Sequence, residues 1–141
     1  MTGQHAKHLP GGELLFTAKY RGHSISVGHA TAAELIEIAE QPTSKVIDKI
    51  GRWGIIGVRS SPGGRRTTLH AIGWQQHGAC PWVTSPLREV ALGPLTVGTI
   101  SGQAYRLVGE PEQPLGPDLM AAVAENMTAW GCEEIKAVVP G

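Results

Sequence analysis

The chain has 141 residues, 41% of them apolar, which is enough for one hydrophobic core and hardly for two. Lys and Arg number 12, as do Asp and Glu, so no overall positive field would hold duplex nucleic acid, and any anion must be bound by a local cluster. No stretch reaches the roughly 18 apolar residues that span a bilayer, and the opening MTGQHAKHLPGG has no apolar signal region, so a cytoplasmic protein without membrane contact is expected.

Residues 1–12 are polar, end in Pro10, Gly11 and Gly12, and read as a flexible N-terminal arm before a single domain over 13–141. Residues 13–20 and 23–28 flank Arg21 and Gly22 and predict a hairpin with a two-residue turn. Thr31 followed by Glu34 is a capping box that opens a helix carrying Ala32, Leu35, Ile36 and Ala39, with Pro42 as its stop. Thr43 or Ser44 could cap a second short helix, whose apolar residues Val46, Ile47 and Ile50 lead to Gly51. A second hairpin is predicted from 53–60 and 65–75 around Pro62, Gly63 and Gly64, and a third from 82–92 and 96–108 around Gly93 and Pro94. Pro86 and Gly102 interrupt the third hairpin and suit an edge or a bulge. The last helix follows Pro117 with Asp118 as cap, aligns Leu119, Val123, Met127 and Trp130 on one packing face, and closes at Gly131. Residues 135–139 form either a final strand or a contact surface. The fold class is α+β: an antiparallel sheet built from hairpins, with two or three short helices packed on one face.

Catalytic motifs are sparse. GxSxG, HExxH and the phosphate-cradling GxxxxGK[ST] are all missing, so no catalytic residue and no cofactor is assigned. His29-Ala30-Thr31 matches the HxT of two-histidine phosphoesterases, but His23 and His70 are followed by Ser-Ile and Ala-Ile, so the second copy that such chemistry needs is missing. His70, His77 and Cys80 lack the spacing of a zinc site and read as turn or surface residues, so no metal ligand is assigned. Cys80 and Cys132 stand apart, as free thiols of a reducing compartment do.

The third hairpin concentrates groups that suit a phosphorylated ligand. Trp82 and Tyr105 offer aromatic faces, Thr84, Ser85 and Ser101 offer hydroxyls, Gly102 offers an approachable backbone N–H, and Arg88 and Arg106 offer planar cationic forks. A base can stack on an aromatic ring while arginine grips phosphate, so recognition needs no catalytic group. The alternative for the same residues is an ordinary amphipathic hairpin with solvated arginines.

The segment TSPLREV (84–90) followed by TISGQAYRL (99–107) resembles a hairpin of the phage anti-Thoeris cyclic-nucleotide sponge family. The resemblance implies a phage-encoded, non-enzymatic protein of an infected bacterial host's cytoplasm that sequesters a cyclic nucleotide or cyclic ADP-ribose isomer and so blunts immune signalling. It further implies Arg106 on phosphate, Trp82 beside the base, and a homo-oligomer with ligands at subunit junctions. A second basic strand would complete the site, with Arg59 and the pair Arg65-Arg66 as candidates. Two other readings remain: a protein-binding inhibitor of a host defence factor, and a small phosphodiesterase resting on the solitary HxT. Strand edges left by three hairpins also favour oligomerisation.

Overall fold

A computed structural model describes residues 13–38, 45–60 and 67–138. The expected arm over 1–12, the helix-stop Pro42, the caps Thr43 and Ser44, Ala39, the turn glycines Gly63 and Gly64, Arg65, Arg66 and Val139 lie outside them.

The first hairpin forms as read, from β1 (Leu14–Tyr20) and β2 (His23–His29). Its two turn residues take positive φ, 49° at Arg21 and 82° at Gly22, the left-handed pair that matches the twist of antiparallel strands. The capping box also holds. Helix α1 (Ala32–Glu37) starts where Thr31 Oγ1 accepts from the Glu34 amide at 3.1 Å and Glu34 Oε1 accepts from the Thr31 amide at 2.8 Å. Leu35 packs inward, whereas Ile36 is 70% exposed and takes no part in the core.

The second helix expected after Pro42 is not formed. Val46, Ile47 and Ile50 belong instead to β3 (Val46–Ser60), a strand of 15 residues. Helical spacing and strand alternation coincide over so short an apolar run, and pairing decides between them. Three neighbours pair with β3. Its first part lies parallel to β8 (Ala104–Leu107), its last part runs antiparallel to β2, and its other edge takes β4 (Thr67–Gln75) antiparallel. The ladder with β4 shifts register between Gly51 and Gly54, and Arg52 takes φ 49° there.

The third expected hairpin is several strands rather than one pair. Pro86 ends the first arm, so β5 (Cys80–Val83) pairs with β4 while β6 (Leu87–Ala91) pairs with β7 (Thr96–Thr99). Gly102, with φ 86°, is a turn residue between β7 and β8 rather than a bulge. A final strand β9 (Glu133–Ala137) lies antiparallel to β1. Among the described residues nine strands form one mixed sheet of order β6-β7-β8-β3-β2-β1-β9, with β4 and β5 branching from β3. The α+β class stands, but the sheet is not purely antiparallel.

Helix α2 (Pro117–Ala129) begins at Gly116, not at Asp118: Pro117 fills the first turn, and Asp118 is drawn into an ion pair with Arg52. Leu119, Val123 and Met127 are buried as the stripe requires. The helices do not share a face. α2 covers Phe16, Val27, Ile56 and Ile72, whereas Leu35 of α1 packs in a second cluster with Ile50, Ile55, Ala71 and Tyr105. Ile55 and Ile56, like Ala71 and Ile72, are neighbours on one strand and so point to opposite sides. The sheet curls around the second cluster until β6 returns against β4.

Candidate functional site

The structure divides the predicted site residues between two sides of one sheet. Tyr105 and Leu107 are buried in the second core, so Arg106 between them is turned outward and exposed. Lys49, beside buried Ile50, is turned outward in the same way, and it pairs in register with Arg106 across β3 and β8. Among the described residues neither cation has a carboxylate within ion-pair distance. One row along, Trp74 is paired with Gly51, and a side chain at Gly51 would meet only Val108 at 3.7 Å. Trp74 therefore stands one row along from the two cations, across β3 from Arg106.

Trp82 and Tyr105 come together on the other side. Burial pushes the Tyr105 hydroxyl upward in pKa, against a smaller opposing effect of the Trp82 indole beside it. The same hydroxyl donates to Gln103 Oε1 at 3.1 Å. The hydroxyls also converge: Ser101 Oγ lies 2.8 Å from Thr99 Oγ1 and 3.3 Å from Ser85 Oγ. Thr84 is buried and committed to the fold, accepting from the Ala71 amide at 3.0 Å and donating to the Ser85 carbonyl at 2.8 Å. The Gly102 amide likewise donates to the Thr99 carbonyl at 3.0 Å. Arg88 is exposed, with Nε 3.6 Å from Glu89 Oε1.

Arg59 is bound to the fold. Its Nε donates to Glu34 Oε2 at 2.8 Å, and its Nη2 donates to Glu34 Oε1 at 2.7 Å and to the His29 carbonyl at 2.9 Å. This fork raises the Arg59 pKa and holds the Glu34 carboxyl below its usual range. Gly28 and Gly57, a cross-strand pair, make room for it: a Cβ on either would lie 3.1 Å from a guanidinium nitrogen. Arg65 and Arg66 lie outside the described residues, in the connection between β3 and β4.

The histidines fall into different settings from those expected. His70 is not a surface residue but is 3% exposed. Its Nδ1 is 2.9 Å from the Thr84 carbonyl, which can only accept, so Nδ1 carries the proton. Burial lowers its pKa, leaving the ring neutral with Nε2 as an acceptor for the Thr68 hydroxyl at 3.0 Å. His77 is exposed in the turn after β4 and Cys80 opens β5, so both sit at the far end of β4 from His70. His29 is also buried and lowered by desolvation, and its Nε2 has no hydrogen-bond partner among the described residues. His29 and His70 lie in one row with Ile56 between them, and the Thr31 hydroxyl is taken up by the helix cap.

Sequence reasoning missed Lys49 and Trp74, because their nearness to Arg106 depends on the parallel β3–β8 pairing. It also missed a groove of about 470 Å3 on the α2 side, lined by Tyr20, Val58, Thr68, His70, Trp130 and Cys132 among others. The chain matches no known family model, and neither a curated protein nor a solved structure matches it. Among the described residues no helix is long and apolar enough to cross a membrane.

Proposed function

We propose that the protein is a non-catalytic binder that sequesters a cyclic nucleotide or a cyclic ADP-ribose-like signal, as a phage-encoded sponge would. Arg106 and Lys49 hold phosphate, and Trp74 offers the ring a stacking face. The observation that carries this reading is the registered Lys49–Arg106 pair. Like charges directly opposite each other destabilise a sheet, and a bound anion offsets that repulsion. The resemblance of residues 84–107 to the sponge hairpin supports the same arginine. Trp82, assigned to the base by that resemblance, keeps company with Tyr105 on the other side, so Trp74 takes its place beside Arg106.

The test is calorimetric titration with cyclic mononucleotides, cyclic dinucleotides and cyclic ADP-ribose isomers, followed by heating and recovery of the ligand. One class is expected to bind and to be released intact. Arg106→Ala should weaken it by about ten- to a hundredfold, the scale of a hydrogen bond to a charged group. A degraded ligand would establish the phosphodiesterase reading, and no binding at all would favour the host-protein inhibitor, for which Ile47, 56% exposed beside Lys49, is the supporting feature. Light scattering is expected to report a homo-oligomer, and a monomer would remove any site at a subunit junction.

A further inference from the structure

The groove on the α2 side is separate from the Lys49–Arg106 surface, and its chemistry is different. Helix α2 stops at Ala129, and the chain turns at Gly131, φ 97°, into β9. Among the described residues, the sheet beyond the end of α2 is left uncovered over Val58, Ser60 and Thr68, with Tyr20 and Trp130 as aromatic walls. Its volume of about 470 Å3 lies within the usual range for small-molecule sites, about 300–1,000 Å3. Among the described residues, none of the side chains that line it is charged once His70 is neutral.

A relay of hydrogen bonds fixes what the polar edge of this groove can offer. The Thr84 carbonyl takes the proton of His70 Nδ1, so Nε2 takes the proton of the Thr68 hydroxyl. Thr68 Oγ1 has then spent its only hydrogen and presents lone pairs alone. His70 cannot turn to release it, because its ring packs against Trp130 with centroids 4.9 Å apart and lies buried between the two partners. Cys132 lines the same groove as a thiol whose pKa burial raises, and so adds no negative charge.

We propose that this groove is a binding site for a neutral aromatic ring bearing one hydrogen-bond donor, an O–H or N–H, which stacks against Trp130 and donates to Thr68 Oγ1. The proposal goes beyond the anion-binding function and does not depend on it. Ring and wall recognise each other by apolar contact, which any flat molecule of that size would share. Selectivity comes from Thr68: a ligand offering only an acceptor would set lone pair against lone pair and leave the threonine oxygen desolvated and unpaired.

The probes are 2-naphthol and its methyl ether, 2-methoxynaphthalene, which share the ring and differ in the donor. Titration of the full chain, followed by nuclear magnetic resonance and calorimetry, is expected to shift the Trp130 indole and the Thr68 amide with both probes. The phenol should bind about three- to tenfold more tightly, the scale of one neutral hydrogen bond. Thr68→Val keeps the bulk that covers His70 Nε2 and removes the acceptor, so it should bring the two probes to equal affinity. Trp130→Ala should weaken both. Equal affinity in the unaltered protein, a preference that survives Thr68→Val, shifts mapping to Trp74 instead, or no binding of either probe would each overturn the proposal. Should Trp130→Ala fail to fold, the resonance map and the Thr68→Val comparison still decide it.

Discussion

Arg59 and Arg106 stand on neighbouring strands of β-branched and apolar residues, yet one is consumed by the fold and the other is not. Arg59 lies across Gly28 and Gly57 and spends its fork on Glu34 and on the His29 carbonyl. Arg106 stands outward beside Lys49 with no carboxylate partner among the described residues. The histidines repeat the contrast: His70 has a partner at each ring nitrogen, while Nε2 of His29 is buried without one among the described residues. A polar group whose hydrogen bonds are all met by the chain is explained by the fold. One left over is explained by a ligand or carries a cost.

The largest test of the contrast is stability. Arg59→Ala leaves Glu34 unpaired at a part-buried position and should cost about 2 kcal/mol in urea unfolding, while Arg106→Ala should stay within about 0.5 kcal/mol. Equal losses would erase the distinction between the two arginines. The pH dependence comes next. Both buried histidines have folded pKa values below the ordinary 6.5, so the unfolded chain takes up protons first. Their contribution is complete above pH 6.5 and is lost as pH falls below it, by up to about 1.4 kcal/mol per pH unit for each ring. Urea midpoints should hold nearly level from pH 7.5 to about 6.5 and fall from there to 5.5, and a profile flat throughout would mean that neither ring is held neutral. The smallest effect sharpens the histidine pair. His29→Leu removes an unsatisfied nitrogen without removing bulk, so stability should change by less than about 1 kcal/mol while the acid slope becomes shallower. A loss of several kcal/mol would show that His29 has a partner after all.

What could be read from the chain was local. The Arg21-Gly22 turn, the Thr31 and Glu34 box and the stripe of Leu119, Val123 and Met127 each declare themselves within a few residues, and each is found where expected. The Val46 to Gly51 segment was illegible because its apolar spacing fits either period, and its strand state is settled by Ala104 to Leu107, far along the chain. Trp82 and Arg106 look like partners in a hairpin read from composition. Pro86 and the Gly102 turn divide that stretch into separate strands, and alternation then sends Arg106 away from Tyr105 and Trp82. The groove was beyond reach for a related reason. Tyr20, Thr68 and Trp130 come from β1, β4 and the end of α2, and the Trp130 position reads only as packing.

The parallel seam between β3 and β8 also sets an order of events for the chain. Hairpins β1–β2, β3–β4, β6–β7 and β7–β8 each close a short connection, whereas β3 meets β8 only after four intervening strands have been placed. Loop-closure entropy grows with the length closed, and non-local pairing forms slowly for that reason. Residues of the hairpins should accordingly acquire native contacts early in folding, and Val46 to Ile50 should acquire theirs late. Lys49 and Arg106 become neighbours only when that last ladder closes. An anion that needs both would bind the finished chain and not its partly ordered forms, and so would act as a clasp on the final step of assembly.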